Sequence, residues 1–232
     1  MASMLQTIKE RLRKGLKVKT VTIDGIRVVS DTAFVTKEIR NALYKERYED
    51  EELSLVAEAI GQGDRVLEIG AGIGLISMAC AKRCGAENLL SYEANPSLEA
   101  VIRKNHALNG LYPELRTRAV SVQAGETKFY FNDNIFSSSL YDRDFGGEAV
   151  VQCDAFADVI TAFNPTAMVI DVEGAEVDLI PAVDLGGVDK IIIELHPHIV
   201  GQDKIDALIA YFHAEGLETR GQIRRSYYFA RG

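Results

Sequence analysis

From Arg65 onward, short continuous apolar runs alternate with stretches whose apolar positions recur at helical spacing. RVLEI precedes Leu75 to Arg83, NLLSYE precedes Ser97 to Leu108, and AMVIDV precedes a helix from about Ala175. Runs that are apolar at every position suit strands covered on both faces, and strand–helix alternation predicts right-handed crossovers and a mostly parallel sheet. Further on come KIIIELHP, a helix from about Asp203 to Glu215, and two strands near Leu217 to Ile223 and Tyr227 to Ala230, close enough to pair antiparallel. Leu115 to Val122 reads as a third strand. It is followed by a hairpin-like excursion with KFYFN and EAVVQC as strands and a loop from Asp133 to Gly147 rich in Ser, Asp and Gly.

Ahead of Arg65 the pattern differs. Leu5, Ile8 and Leu12 lie at helical spacing, and residues 16 to 30 read as a hairpin turning at Asp24-Gly25, a pair that tolerates positive φ at both central positions. Two further helical patterns follow, through Ala33, Val35, Ile39 and Leu43 and through Leu53, Val56, Ala57 and Ile60, before Gly61 and Gly63 stop them. Residues 1–62 are therefore expected to form a helical and hairpin extension packed on a core domain of residues 63–232, with no repeat or linker between them.

Composition narrows the partners. Formal net charge is −8, from 34 acidic and 26 basic residues, so the molecule as a whole repels phosphate backbones and anionic lipid. The expectation is no nucleic acid partner. Lys9, Arg11, Arg13, Lys14, Lys17 and Lys19 give the first helix a basic face that reads as solvated. Cys80, Cys84 and Cys153 are odd in number and lack zinc-type pairing, which suits ordinary thiols in a reducing compartment. No apolar stretch is long enough to span a membrane and the N-terminus lacks a signal-peptide core, so a cytoplasmic location is expected.

The chemistry begins at VLEIGAGIGLI, where a buried strand ends at Glu68-Ile69 and Gly70, Gly72 and Gly74 open the next helix. Glycines there let the backbone turn sharply and approach a ligand. Nicotinamide-binding loops space their glycines G-x-G-x-x-G, whereas here the third arrives one position early and an acid precedes the loop. A pyrophosphate gains nothing from that acid. The ammonium and sulfonium of S-adenosylmethionine do, which favours this cofactor. Glu93 ends the next strand, 23 residues after Gly70, where a carboxylate can accept from ribose hydroxyls.

These features resemble class I S-adenosylmethionine methyltransferases, and IDVEGAEVDLI with IIIELHPH downstream looks like the FkbM family of predominantly O-methyltransferases. The resemblance covers roughly Glu49 to His196, with Asp171-Val172-Glu173-Gly174 its most specific signature. It implies an α/β Rossmann-like class I methyltransferase fold: a seven-stranded, mostly parallel sheet with an antiparallel last strand, plus an N-terminal helix and β-hairpin extension. It also implies that Glu68, Gly70 and Gly72 line the methionine end, that Glu93 binds ribose, that Ala119, Val120 and Ser121 border adenine, and that Gly74 and Asp171 also belong to the cofactor site. Glu68 departs from the Asp that many members carry.

Transfer from a sulfonium is a displacement, so holding acceptor, methyl carbon and sulfur in line is the first requirement, and a base helps when the acceptor is a hydroxyl. His196 is the preferred base because imidazole can be neutral near pH 7, with Asp171 and Glu173 orienting it or holding the acceptor. Glu194, Ser138 and Ser139 are expected on the substrate side, together with Asn132, Asn134, Ser137, Tyr141 and Asp142 of the long loop. Glu176 and Asp178 read as acids at a helix start, and Tyr44 and Tyr48 as helix packing, with closure over the site as the alternative. No metal ligand set is assigned, although acids with a histidine can hold a divalent ion. The expected function is O-methylation of a sugar, glycan or other small polar metabolite by a monomer or homodimer, with S-adenosylhomocysteine as product. The alternatives are an NAD-dependent oxidoreductase and an inactive cofactor-binding interaction module.

Overall fold

The apolar runs become the middle of the molecule. The computed structural model describes residues 2–131, 138–139 and 147–232. The strands are β1 (Thr20–Ile23), β2 (Ile26–Val29), β3 (Val66–Ile69), β4 (Leu89–Tyr92), β5 (Glu114–Arg116), β6 (Ala119–Ser121), β7 (Gly125–Phe131), β8 (Ser138–Ser139), β9 (Gly147–Ala155), β10 (Ala167–Ile170), β11 (Lys190–Glu194), β12 (Glu218–Ile223) and β13 (Ser226–Ala230). The helices are α1 (Ala2–Gly15), α2 (Lys37–Tyr44), α3 (Asp50–Ala59), α4 (Leu75–Cys84), α5 (Glu99–Asn109), α6 (Phe156–Phe163), α7 (Glu176–Leu179), α8 (Pro197–Val200) and α9 (Gln202–Ala214).

The main sheet has seven strands in the order β12-β13-β11-β10-β3-β4-β5. β11, β10, β3, β4 and β5 run parallel, and β13 is antiparallel to both of its neighbours. This is the class I methyltransferase arrangement. Every residue of β3, β4 and β10 is buried, because each strand is covered on both faces. One core lies on the face of α3, α4 and α5 and includes Val66, Met78 and Ile102; the other, on the face of α6, α7 and α9, includes Leu67, Phe156 and Phe212.

In-register pairing lines up the carboxyl ends of these strands. Ile69 sits opposite both Tyr92 and Ile170, and Ile170 opposite Ile193. The segments that leave these ends, beginning at Gly70, Glu93, Asp171 and Glu194, therefore share one rim, where ligands bind in open α/β sheets.

The N-terminal residues share the first core. Asp24 (φ 47°) and Gly25 (φ 75°) make the expected turn, and the hairpin is tied to α5: Asn105 Oδ1 accepts from Val29 N at 2.8 Å, and Asn109 exchanges hydrogen bonds with Arg27. α1 is held through Arg13, which donates to the Tyr44 carbonyl and pairs with Glu46 at 2.7 Å, leaving Ile8, Leu12 and Leu16 exposed. One sequence expectation changes. Leu115 to Val122 is not one strand; β5 ends at Arg116 in the main sheet, and β6 starts at Ala119 in a second sheet of order β6-β9-β7-β8. The crossing is fixed electrostatically, since Arg118 Nε lies 3.0 Å and Arg116 Nη1 3.8 Å from the Asp154 carboxylate, which also accepts from the Tyr92 hydroxyl.

Candidate active site

The glycine loop is shaped by lack of room as much as by turning. Gly70 has φ +94°, and a Cβ there would lie 1.9 Å from the Asp171 carbonyl oxygen. Gly72 has φ +55°, and a Cβ would lie 3.1 Å from both Glu49 Oε1 and the Tyr48 hydroxyl. Gly74, at φ +81°, precedes α4 and faces Ile102. The loop is then tied to the end of β4. Gly70 N and Ala71 N both donate to the Tyr92 carbonyl, and Gly72 N donates to Glu93 Oε2 at 2.8 Å. Glu93 Oε1 accepts from Asn95 N at 2.8 Å, so this carboxylate holds two loops while each oxygen keeps a lone pair for a ligand.

Glu68 sits deeper. It is 1% exposed and Oε2 accepts from Ser77 Oγ at 2.6 Å, an anchor between β3 and α4, while Oε1 has no hydrogen-bond partner. Burial pushes both Glu68 and Glu93 up to about 7 from 4.5. Their neutral forms are favoured by folding. The associated stability is complete below about pH 4.5 and is lost as pH rises through about 7, a change on the order of a few kcal/mol for the pair. The ligand-free protein is expected to melt at lower temperature at pH 8 than at pH 5, and Glu93→Gln to show a smaller decline. A melting profile equally steep in that variant would remove Glu93 from the effect.

At the ends of β10 and β11 an acidic rim surrounds one histidine. His196 is 1% exposed, and its Nε2 lies 3.7 Å from Asp171 Oδ1 and 3.8 Å from both Glu173 Oε2 and Glu194 Oε1. Behind it, fully buried Glu176 accepts from Gly174 N at 2.8 Å and, through Oε1, from His196 N at 3.2 Å, with His196 Nδ1 also 3.2 Å away. Burial lowers the imidazole pKa, but the Glu176 hydrogen bond and the charges of Glu176, Glu194 and Glu173 outweigh it and the net direction is up. Loss of solvent, then Glu194 and Glu173, hold Asp171 well above the usual carboxylate range. Glu194 is also raised, by burial, although Arg225 Nη2 pairs with it at 2.7 Å. Glu173 adopts φ 51°, a left-handed conformation that costs energy in a non-glycine residue and sets its carboxylate toward the histidine.

The structure thus brings Asp171, Glu173, Glu194 and His196 together, and Glu176 becomes the histidine's partner, beyond its expected part at a helix start. Asp171, Glu194 and His196 each offer one ligand atom within 4.8 Å of the others, a spacing that a divalent ion can bridge. Ala119 and Val120 are buried on β6 with Ser121 partly exposed beside them. Ser138 and Ser139 pair through their backbones with Phe131 and Tyr130. Asn132, Asn134, Ser137, Tyr141 and Asp142 lie outside the described residues.

Sequence reasoning preferred helix packing to a place at this site for Tyr44 and Tyr48, and gave Glu49 and Glu52 no role. Glu49, Glu52, Gly70, Ile76, Asp171 and Glu194 line one cleft. Tyr44 packs as expected, buried with its hydroxyl on the Val18 carbonyl, but Tyr48 turns to the glycine loop. Glu52 is buried and accepts from Ser226 Oγ. A Glu-Asp-Glu-Glu run opening α3 carries no signal beyond that of acids at a helix start.

Residues 31–138 match the family model of the TRM5/TYW2 methyltransferase domain. Over 68 residues the chain is 37% identical to the ribosomal protein L11 methyltransferase of Geobacter sulfurreducens, covering 29% of this chain and 22% of that protein. The homologous enzyme of Geobacter metallireducens is 35% identical over 69 residues, covering 30% and 23%. The chain thus matches about a fifth of the length of these curated relatives. Among solved structures, P. horikoshii TYW2 in complex with MeSAdo superposes with a TM-score of 0.50 at 14% identity, over 97% of this chain and 80% of that one. The fold and the matched domain are those of class I S-adenosylmethionine-dependent methyltransferases. The comparisons do not carry the FkbM resemblance; the matched model is TRM5/TYW2. They also correct the expectation of a small-molecule or glycan acceptor without nucleic acid: the curated relatives are named for a ribosomal protein, and the matched family model is that of TRM5/TYW2. Among the described residues, no helix is long and apolar enough to cross a membrane.

Proposed function

We propose that the chain is a methyltransferase that uses S-adenosylmethionine to methylate an amine carried by a basic protein. The observation behind the cofactor is the glycine loop closed by acids. Buried oxygens Glu49 Oε2, Glu68 Oε1 and Asp171 Oδ1 lie around it without hydrogen-bond partners, and carboxylate oxygens left bare in this way suit a cationic ligand and oppose a pyrophosphate. The same fact argues against a nicotinamide dinucleotide.

When bound, S-adenosylmethionine supplies an electrophilic methyl group on a sulfonium. The chain's own residues would do the rest. Glu93 would accept from ribose hydroxyls while keeping its hold on Gly72 N, and Gly70 and Gly72 would leave the backbone open to close approach. Asp171, Glu173 and Glu194 would attract a protonated amine into the rim. Asp171 and Glu194, whose carboxyls burial raises, are suited to accept the proton that the amine must lose, and His196, fixed by Glu176, would help disperse it. The net charge of −8 and this acidic rim favour a basic protein partner. An RNA acceptor is the second reading, supported by the TRM5/TYW2 match.

Calorimetric titration with S-adenosylhomocysteine is expected to show binding that Glu93→Ala weakens at least tenfold, while NADH gives no heat. Incubation with methyl-labelled cofactor is then expected to label a basic ribosomal protein fraction in preference to bulk tRNA. NADH binding alone would overturn the cofactor, and label confined to tRNA would select the second reading.

A further inference from the structure

We infer that Glu49 binds the α-ammonium of the cofactor's amino acid end, so that α3 closes the cofactor site from the side opposite the sheet. The inference rests on the methyltransferase reading above. Glu49 precedes α3 in the left-handed conformation, φ 51° and ψ 33°, and makes no side-chain cap to its own helix. A glutamate ahead of a helix ordinarily gains from the helix's free N–H groups. Here it is turned away from them at a conformational cost.

Its carboxylate goes to the glycine loop instead. Oε1 lies 3.1 Å from where a Gly72 Cβ would stand, beside the Tyr48 hydroxyl at the same distance. The Tyr48 hydroxyl hydrogen-bonds to this carboxylate, and Oε2 is buried with no partner. Burial holds this carboxyl well above the usual carboxylate range, so its ionised form, with one oxygen bare, is costly until a cation meets it. Among the described residues Glu49 has no cationic partner to supply that charge: the ion pairs of the neighbouring acids are Arg224 with Glu51 and Arg225 with Glu194.

The other acids at the loop each have a partner of their own, although Glu68 Oε1 and Asp171 Oδ1 also lack a hydrogen bond. Both oxygens of Glu93 accept backbone N–H groups, and Glu68 is anchored to Ser77 beneath the loop. Asp171, Glu173 and Glu194 gather round His196. Glu49 is the acid that faces the loop from outside the sheet, and a donor with three N–H groups and a positive charge satisfies it.

The test compares two ligands that share adenosine and thioether and differ in the amino acid end, S-adenosylhomocysteine and methylthioadenosine, on wild type, Glu49→Gln and Glu49→Asp by calorimetry. Glu49→Gln keeps size and the hydrogen bond from Tyr48 but not the charge. It is expected to weaken S-adenosylhomocysteine at least tenfold and to leave methylthioadenosine within twofold, with Glu49→Asp intermediate. Equal loss for both ligands in Glu49→Gln, or no loss for either, would overturn the assignment. Wild type binding methylthioadenosine as tightly as S-adenosylhomocysteine would overturn it too. Failure of the wild type to bind either ligand would instead sink the methyltransferase reading, and this inference with it.

Discussion

Gly70→Ala is expected to abolish cofactor binding and to cost about 3 kcal/mol or more of stability. The added methyl would have to stand 1.9 Å from the Asp171 carbonyl oxygen, and the neighbour is backbone at the end of a buried strand, which cannot swing aside. φ of +94° adds strain for any L side chain. Relief requires β3 and β10 to separate at their carboxyl ends, which displaces Gly70 N and Ala71 N from Tyr92 and moves Gly72 off Glu93. Gly110→Ala is the control: φ is +65° but nothing lies within 4 Å of the new Cβ, so a cost of about 1 kcal/mol is expected there. Denaturant unfolding and S-adenosylhomocysteine titration of both variants check this. A Gly70→Ala protein as stable as Gly110→Ala, with affinity intact, would mean the close approach is not needed.

The second large effect is expected at Glu176. Replacing it by alanine leaves Gly174 N, His196 N and His196 Nδ1 without their acceptor in a buried site, at an expected cost of about 3 to 5 kcal/mol. Glu176→Gln separates charge from packing. It keeps an acceptor oxygen and should fold, but the imidazole loses the carboxylate that most offsets its burial. Its pKa should therefore fall. The sign follows for stability: a histidine raised in the folded state contributes fully below its unfolded value near 6.5 and loses that contribution as pH rises through the folded value. Histidine resonances followed by NMR across pH in wild type and Glu176→Gln should show His196 moving down in the variant; an unmoved His196 would assign its protonation to the outer carboxylates.

Much of this was legible in the sequence. The apolar runs around VLEI and AMVI read as strands covered on both faces, and the glycine spacing after VLEI, with Glu68 ahead of it, favours a sulfonium site over a dinucleotide site. Glu93 and the Asp171-to-His196 acids were placed by strand ends. Glu49 and the Glu176 contact with His196 were not legible, and Tyr48 only as the less favoured alternative, because their roles arise where separate segments meet. Glu176 and His196 are twenty residues apart, and the Glu49 conformation depends on the loop it packs against. The run from Leu115 to Val122 reads as one strand because its hydrophobic pattern carries no mark of the salt bridges from Arg116 and Arg118 that help turn it from one sheet to the other.

The position of β3 bears on how the chain is made. It acquires β4 about twenty residues after itself, but its other neighbour, β10, lies about a hundred residues on. During synthesis the nascent sheet must therefore wait with one side of a fully buried strand unpaired until Ala167–Ile170 has left the ribosome, a slow, non-local closure with an open edge. In vivo yield of this protein should then depend on whatever shields Val66–Ile69 in that interval, and chains interrupted between β9 and β10 would be natural clients for chaperones.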